Sequence, residues 1–565
     1  MFKELGKLNN LVKEKSFEIK FDKLKTGINF FENFIIYENN GNIRIYDRIC
    51  DHAGGKIISK GNETICPIHN WKFIPETGCY ENGVKKREVN YSINENTIKI
   101  KTLELEPKLT KLNQKNSGTK IRYFNHAFLK IFGENFSFAT DPWAIGPTFN
   151  TGWWLKHATK NDWVDHLNSC SFVYVSHNHP DHLHPLTLSK INKDIPIVVP
   201  KFLTDSTGKY VEELGFNNIY RIKFNTEYNL ENTRLVFSLL KSGDFREDSG
   251  IYFSNGEFTG LLSVDSNMLN FARFPNVDFY AGSFAGGASG YPLMFENFAS
   301  NEQVKIAKNF KNILKNQMYK DLAKIKPKYF MPYAGFFEEK LKRDQKIKNN
   351  NQKNSIQDYA TYCENNNIKL LDVLKNDVYE FIGEKLKTTS NVKKEKTQDL
   401  SEETYLNYFK NQYENIDLKY IKNYFIESAF KDNLQLYIFL TNDEFKLLGE
   451  NYLVDFRKNT PEFKKISCTD EKKILRDNSI KKLILKTRKE SFLNTVYNKL
   501  PWEDLSIGFQ CQVLRNPNVY NKDFWHHFTN IYTTSKNVRS VTNCGACTNL
   551  THFFDNELNE ANKNI

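Results

Sequence analysis

The sequence lacks long apolar runs. No stretch approaches the roughly twenty consecutive apolar residues that a membrane-spanning helix needs, and residues 1–21 contain no apolar core of the kind found in signal peptides. The nine cysteines are an odd number, without the spacings of a disulfide-stapled domain. These absences predict a cytoplasmic protein, not associated with a membrane, whose thiols are reduced.

The composition is that of a globular protein. Of 565 residues, 26% are charged and 40% are hydrophobic, so the chain is long enough for several domains with separate cores. The formal net charge of +12 permits an anionic partner, although lysines on a solvated surface explain it equally simply. Nucleic acid is not expected as a partner.

Sequence patterns divide the chain into four segments. Residues 1–112 read as short alternating strands and turns, and residues 113–345 interleave β-rich runs with helical ones. Residues 346–400 are rich in Lys and Asn and are predicted to be a connector, followed by an α+β module over residues 401–565. The predicted class is multidomain α+β.

The first metal motif pairs cysteine with histidine twice, as Cys50-x-His52 and Cys66-x-x-His69. Two thiolates and two imidazoles suit zinc or a mixed-ligand iron–sulfur cluster. Gly54 and Gly55 come just after the first pair, so the backbone can turn tightly and its amides can approach cluster sulfurs. The two loops resemble those of a Rieske [2Fe–2S] domain. The resemblance implies that the cysteines hold one iron and the histidines the other, and a zinc site is the alternative.

The second motif is "SHNHPDHLH" at residues 176–184, directly after an apolar strand. A strand that delivers His177, His179, Asp181 and His182 into a tight loop resembles the metallo-β-lactamase fold, which implies a central αββα domain. The two histidines at i and i+2 can face one metal, and Asp181 with His182 can face a second.

The other ligands of a dinuclear zinc hydrolase are incomplete, because the chain has no histidine between His184 and His526. Asp265, at a predicted strand end, fits the bridging aspartate of that fold. Asp244 falls near the position of a further histidine. With His177 and His179 it would form the two-His, one-carboxylate triad of non-haem Fe(II) oxygenases.

Two sites of these kinds on one chain favour oxygenase chemistry, since a Rieske cluster carries single electrons and hydrolysis needs none. The order of both motifs, together with "DPWAIGPTFNTGWWLKH", "SFAGGASGYP", "PYAGFF" and "LPWEDLSIGFQCQVLRNPNVY", resembles the CMP-N-acetylneuraminate hydroxylase family. The resemblance implies hydroxylation of the N-acetyl group of a CMP-sialic-acid-like nucleotide sugar to N-glycolyl. It further implies O2, a small electron-carrier protein and its reductase as partners.

Several further residues are candidates near the metal or the substrate. His126 and Asp141 lie on early strands of the central domain and are expected to orient metal ligands. A glycine-rich loop provides amides and hydroxyls suited to a phosphate or sugar carboxylate, and Tyr333 is expected to line the pocket where the fold's last histidine is missing. The loop residues concerned are Ser283, Gly286, Gly287 and Ser289.

Two other functions remain open from the sequence. The first is a metallo-β-lactamase-fold phosphodiesterase or nuclease with a Rieske redox sensor, and the second is an electron carrier with a degenerate second domain. Cys544 and Cys547 form a Cys-x-x-Cys pair that we interpret as two reduced thiols without a metal. No chemistry is assigned to the C-terminal module, which is expected to shape the pocket or mediate assembly.

Overall fold

The computed structural model describes residues 1–52, 54–112, 118–243, 247–266, 268–390 and 395–533. Of the predicted site residues, Asp244, Cys544 and Cys547 lie outside these ranges. Within the described ranges, no helix combines the length and the apolar character needed to cross a bilayer.

The N-terminal region is β-structure, as predicted. Its strands form three small antiparallel sheets. They are Asn9–Lys20, Gly27–Phe30, Phe34–Asn39, Asn42–Asp47, Ile58–Lys60, Glu63–Ile65, Lys72–Ile74, Cys79–Tyr80, Tyr91–Asn94 and Thr97–Lys108. A core that includes Ile35, Tyr46 and Phe73 packs beneath the loops of the first metal motif, and Phe310 and Tyr520 of the other domains pack against it.

Two mixed eight-stranded sheets build the central domain within the described residues. The first has the strand order Phe2–Lys7, Thr226–Leu230, Leu235–Lys241, Ser249–Asn255, Phe258–Val264, Phe279–Ser283, Tyr329–Tyr333 and Lys369–Leu370. The second has the order Ile219–Ile222, Ile197–Pro200, Phe172–Tyr174, Ser137–Thr140, Phe128–Phe132, Thr119–Asn125, Val378–Ile382 and Lys385–Thr389. A further two-stranded ribbon joins Trp154–Leu155 to Phe337–Glu338.

The two sheets pack face to face with helices outside, which gives the predicted αββα layers. Phe172 and Tyr174 lie in the core between the sheets, whereas Val173, between them in sequence, packs under the outer helices. Side chains of a strand alternate between its two faces, and both faces are apolar here because both are covered. The helices of the domain are Trp163–Asn168, Pro185–Leu188, Ser206–Glu213, Ser300–Ile325, Gln345–Asn350 and Ala360–Asn365.

The longest helix, Ser300–Ile325, covers the outer face of the first sheet. Its buried residues Met318, Leu322 and Ile325 recur at helical spacing. It begins where the Glu302 carboxylate accepts a 2.9 Å hydrogen bond from the Ala299 amide. It ends at Lys326, whose φ of 50° is left-handed.

Strand pairing crosses two of the boundaries predicted from sequence. Strand Phe2–Lys7, expected in the N-terminal module, pairs with Thr226–Leu230 of the central domain. Strands Lys369–Leu370 and Val378–Ile382, expected in a connector, extend the two central sheets. These partners are distant in sequence, so local composition carries no signal of the pairing.

The C-terminal region is an α+β module, as predicted. Its five-stranded sheet has the order Glu462–Lys465, Leu447–Asp455, Leu434–Thr441, Lys481–Arg488 and Cys511–Asn516. Its α-helices are Glu402–Gln412, Leu418–Glu427, Glu471–Ile474, Lys489–Tyr497, Glu503–Ile507 and Lys522–His526. Residues 295 and 296 of the central domain contact strand Cys511–Asn516 through backbone pairing, so the two domains meet at this strand.

Candidate metal centres

The first metal motif lies on two loops of the N-terminal module. One loop leads from strand Asn42–Asp47 to strand Ile58–Lys60, and the other joins Glu63–Ile65 to Lys72–Ile74. The first loop is closed by hydrogen bonds from the Cys50 amide to the Gly55 carbonyl (2.8 Å) and from the Gly54 amide to the Cys50 carbonyl (2.9 Å). The second loop follows strand Glu63–Ile65, and the Cys66 amide donates to the Trp71 carbonyl (2.9 Å). Both thiols are buried, so two short turns bring two metal-binding sulfurs into an apolar interior.

The backbone of the first loop passes close to the thiol of the second loop. A Cβ at Gly55 would lie 2.7 Å from Cys66 Sγ and 2.6 Å from Ile68 Cδ1, so the chain approaches the sulfur as closely as only glycine allows. Burial raises the pKa of the Cys50 thiol, whereas the hydrogen bond from Cys50 lowers the pKa of Cys66. One sulfur is therefore the readier thiolate ligand.

The two histidines of the motif lie side by side. The ring centroids of His52 and His69 are 4.3 Å apart. His52 stacks on Trp71 at 4.4 Å, and His69 contacts Phe310 at 5.2 Å. Paired imidazoles beside paired thiols match the mixed donor set of a Rieske cluster, so the residues present fit that group.

The second motif forms a buried cluster after strand Phe172–Tyr174. The amides of His182 and Leu183 both donate to the His179 carbonyl, at 3.0 and 2.8 Å, which closes the tight turn. Ligand atoms of His177, His182 and Asp265 lie within 4.8 Å of one another. Those of His126, Asp181 and His182 do so as well. His182 thus belongs to two three-residue groups that could each hold a metal ion.

Short contacts join these groups into one network. His182 Nε2 lies 3.3 Å from Asp181 Oδ2 and also 3.3 Å from Asp265 Oδ2, and His126 Nε2 lies 3.1 Å from Asp181 Oδ2. The second carboxylate oxygen of Asp181 is buried and has no hydrogen-bond partner in the described part of the chain. A buried carboxylate oxygen without a donor suits a cation, so the residues present fit a metal centre.

Electrostatics maintain an anionic donor set. Burial alone would raise the pKa of Asp181, but the His182 and His126 imidazoles hold it well below its usual range. Burial alone would lower the pKa of His182, but Asp181 and Asp265 hold it well above its usual range. Carboxylates that stay ionised when buried are ready cation ligands.

Asp141 lies behind the cluster, where the sequence places a residue that orients ligands. Its Oδ1 accepts from the Ser176 amide at 2.7 Å and its Oδ2 from the Ser176 hydroxyl at 2.9 Å. His182 Nδ1 is 3.2 Å from the same carboxylate. Asp141 therefore fixes both the end of the strand and the ring of His182. His126, by contrast, contacts Asp181 directly and can itself donate to a metal.

His177 and His179 each contact a carboxylate that the sequence analysis missed. His177 Nε2 lies 2.9 Å from His179 Nδ1, while His177 Nδ1 is 3.4 Å from Asp248 Oδ1. His179 Nε2 is 3.3 Å from Glu503 Oε2 of the C-terminal module. The triad that includes Asp244 stays a prediction, because that residue lies outside the described ranges.

One cavity of about 480 Å³ is lined by residues of both metal motifs. His52 and His69 form part of its wall, and so do His179, Asp181 and Asp265. Of the predicted substrate residues, Ser283, Gly286 and Ser289 line it as well. Tyr333 is fully buried in its strand and is not among the described residues of the wall. A volume of this size suits a small organic ligand.

The glycine-rich loop serves first to pack the cavity wall. Gly286 and Gly287 have φ values of 70° and 72°, which favour glycine. The Ser283 hydroxyl donates to the Ala334 carbonyl at 3.1 Å, and the Ser289 hydroxyl accepts from the Tyr291 amide at 3.1 Å. The backbone conformation therefore explains the two glycines without a ligand. The Ser283 hydroxyl already donates its proton to Ala334, whereas the Ser289 hydroxyl accepts and can still donate to an anion.

The C-terminal module contributes a direct link between the two motifs. The Tyr520 hydroxyl donates to Glu503 Oε1 at 3.3 Å, and the other oxygen of that carboxylate contacts His179. The Tyr520 ring also faces His52, with centroids 6.2 Å apart. Glu503 and Tyr520 both fall within "LPWEDLSIGFQCQVLRNPNVY", a segment that carries the family resemblance. No metal-binding or catalytic motif in that segment points to either residue.

Comparisons with known proteins agree with this arrangement. Residues 10–92 match the family model described as Rieske [2Fe-2S] domain. The chain is 30% identical over 560 residues to cytidine monophosphate-N-acetylneuraminic acid hydroxylase of Xenopus laevis, covering 90% of this chain and 91% of the relative. The hydroxylase of the same name from Danio rerio is 30% identical over 553 residues, covering 89% and 91%. That from Pan paniscus is 28% identical over 598 residues, covering 97% of both chains.

Two solved structures each match about half of this chain. CmlA, a diiron beta-hydroxylase from Streptomyces venezuelae, matches with 15% identity and a TM-score of 0.31, covering 49% of this chain and 55% of its own. The metallo-beta-lactamase fold protein YhfI from Bacillus subtilis matches with 10% identity and a TM-score of 0.29, covering 47% of this chain and 100% of its own. The family rests instead on the sequence relatives, which span nearly the whole chain. The chain belongs to the cytidine monophosphate-N-acetylneuraminic acid hydroxylase family.

Proposed function

We propose that this protein is a Rieske-dependent monooxygenase that converts the N-acetyl group of a CMP-linked sialic acid to N-glycolyl. The observation that carries the proposal is the single cavity whose wall contains His52 and His69 together with His179, Asp181 and Asp265. A ligand in that cavity would contact donors of both motifs. The family relatives from Xenopus laevis and Pan paniscus, which are cytidine monophosphate-N-acetylneuraminic acid hydroxylases, support the same substrate class.

The proposed reaction balances with an external electron source. The methyl C–H of the acetyl group, O2, two electrons and two protons give a hydroxymethyl group and water. When bound, a Rieske cluster supplies single electrons and a non-haem iron with open coordination positions activates O2. We infer that a small electron-carrier protein and its reductase deliver the electrons.

The chain's own residues have distinct roles in this proposal. Cys50, His52, Cys66 and His69 would hold the cluster, and the buried loops around the two cysteines keep water from the sulfurs. His177, His182 and Asp265 would hold the mononuclear iron, with Asp141 fixing the His182 ring. His126 and Asp181 could complete this site or bind a second metal, because they share His182 with it.

A hydrolase is the second candidate, since two donor groups that share one histidine also suit a dinuclear centre. The oxygenase and the hydrolase differ in the metal of the second site and in whether the reaction consumes O2. The oxygenase requires about three irons and two sulfides per chain, which is a cluster plus one mononuclear iron. The hydrolase would have zinc in the second site and would act on phosphodiesters without O2.

The test is a single turnover of the anaerobically purified full chain. The reduced protein is mixed with CMP-N-acetylneuraminate and ¹⁸O2, and the sugar is analysed by mass spectrometry. We expect an N-glycolyl product that carries one ¹⁸O atom. Unchanged substrate from protein that contains both iron centres would overturn the proposal. Iron analysis of Asp265→Ala and Asp244→Ala decides which aspartate belongs to the ligand set.

A further inference from the structure

The cavity wall has an uneven charge distribution. Its acidic side chains include Asp181, Asp265 and Glu503, which belong to or contact the metal cluster. Besides histidine, its basic side chains are Lys72 and Arg515. Lys72 is paired with Glu63 at 2.8 Å. Arg515 differs, because no carboxylate of the described chain lies within ion-pair distance of its guanidinium.

The surrounding structure positions Arg515 without neutralising it. Asn297 clamps its backbone, accepting from the Arg515 amide at 3.1 Å and donating to the Arg515 carbonyl at 2.9 Å. The guanidinium lies over the Phe295 ring, 5.0 Å from its centroid. Its Nε donates to Asn518 Oδ1 at 3.0 Å, and its two terminal nitrogens make no hydrogen bond to a described residue.

The charge of Arg515 persists at neutral pH. Burial lowers the pKa of Arg515 to about 10, so the side chain is still protonated at pH 7. Taking a cation out of water is costly unless an anion accompanies it. Two terminal nitrogens that remain available in a fixed plane can donate two parallel hydrogen bonds to an oxyanion. An anionic ligand group would therefore complete the site.

We propose that Arg515 binds the oxyanion of the nucleotide sugar, its phosphodiester or its sugar carboxylate, at a subsite of the cavity. This inference rests on the proposed function. It assigns a ligand-binding role to a residue of segment 500–520, most of which has no part in binding metal. An anion held at Arg515 would fix one end of the ligand, so that the acyl group lies elsewhere in the cavity that the second metal motif also lines. The position of Arg515 would thus restrict the orientation of the ligand.

Equilibrium binding to the holoprotein, without reductant, tests the inference separately from turnover. The probes are CMP-N-acetylneuraminate, CMP and free N-acetylneuraminate, and titration calorimetry gives each affinity. Arg515→Gln is expected to weaken CMP-N-acetylneuraminate binding by about tenfold or more, and Arg515→Lys by less, since Lys keeps the charge but not the fork. A parallel loss for CMP identifies the phosphate as the bound group, and a loss for free N-acetylneuraminate identifies the carboxylate.

Matched variants make each outcome decisive. Arg457→Gln is the control, because Arg457 lies in the same module, pairs with Asp455 and is absent from the cavity wall. Its affinity should equal that of wild type. Wild-type affinity in Arg515→Gln, with an unchanged melting temperature and cluster spectrum, overturns the subsite but leaves the proposed function standing. If Arg515→Gln does not fold, the affinity of Arg515→Lys for CMP-N-acetylneuraminate tests the subsite instead. An affinity below that of wild type supports the subsite, and an equal affinity overturns it. A wild-type protein that binds none of the probes overturns both.

Discussion

The two candidate metal centres are built in opposite ways. The donors of the Rieske site lie between Cys50 and His69, on two loops of the N-terminal module. Those of the second site range from His126 to Asp265, at strand ends of both central sheets, and Glu503 reaches it from a third module. The first site therefore depends on local turns, whereas the second depends on the packing of the whole molecule.

This difference has a physical consequence for robustness. A local site is disturbed mainly by changes in its own loops, such as at Gly55, where the backbone touches the sulfur. A site assembled from distant strands is disturbed by any residue that fixes the relative position of those strands. The first three variants below damage one centre while sparing the other, and the last changes only the stability. They are given in order of decreasing expected effect on the metal centres.

The largest effect is expected for His182→Ala, because His182 is shared by both donor groups of the second site. Metal affinity there should fall by more than about a hundredfold, since losing a ligand costs more than losing the partner that orients it. Hydroxylation should stop, while the Rieske electron paramagnetic resonance (EPR) signal persists. Iron and sulfide analysis with EPR measures both centres.

The matched control for that variant is His184→Asn. The His184 ring turns away from the cluster, accepts from the Thr187 amide at 3.1 Å and caps helix Pro185–Leu188, a role that Asn can take over. The His184→Asn variant should retain iron at both centres. Full iron occupancy in His182→Ala would contradict the shared-ligand assignment.

Gly55→Ala should damage the Rieske site and spare the second. The added Cβ would meet Cys66 Sγ and Ile68 Cδ1, an overpacking that costs about 1–3 kcal/mol. We expect reduced sulfide content with unchanged mononuclear iron. Adding Ile68→Ala removes only one of the two contacts, so sulfide should stay low in the double variant. Recovery of sulfide there would show that the contact with the sulfur is unimportant.

A smaller effect is expected for Glu503→Gln, which alters the link between His179 and Tyr520. The amide keeps the shape of the carboxylate but not its charge, and His179 contacts the assigned iron ligand His177 at 2.9 Å. Turnover should therefore fall about tenfold, the lower end of the loss for partners of metal ligands. Iron content and the Rieske signal should remain, while the EPR signal of the nitric oxide adduct of the second iron shifts. Glu490→Gln, which lies outside the cavity wall, is the control. An unshifted adduct signal with normal turnover would exclude this role.

The smallest effect concerns stability and pH at Asp321, a buried residue of helix Ser300–Ile325 that lines the cavity. Burial raises the pKa of Asp321 from 3.8 to about 7, and Gln317 donates to the carboxyl at 3.0 Å. Between these values the folded protein holds a proton that the unfolded chain has lost, so this group's contribution falls as pH rises towards 7. From pH 5 to pH 8, wild type should lose about 2–3 kcal/mol relative to Asp321→Asn. Thermal melts of both proteins measure this, and parallel pH dependence would contradict the shift.

The sequence predicted much of this architecture for identifiable reasons. The hydrophobic periodicity of the sequence predicts the β-rich N-terminal module, the mixed central domain and the α+β C-terminal module. The ligands of the Rieske motif and of residues 177–182 are close in sequence, so their spacing alone identifies them. Asp265 was found because a strand end places side chains at a sheet edge. Asp248, Glu503 and Arg515 were missed, because their contacts join segments far apart in the chain. The same reason explains why local composition predicts a connector over residues 346–400, although strands within it extend the central sheets.

The central claim is that both centres face one ligand in one cavity. Its most direct test is EPR of the full-length holoprotein, with and without CMP-N-acetylneuraminate, recording the reduced cluster and the nitric oxide adduct of the second iron. The shared wall of His52, His69, His179 and Asp265 predicts that the ligand perturbs both signals. A ligand that binds yet shifts only one signal, or neither, would contradict the shared cavity.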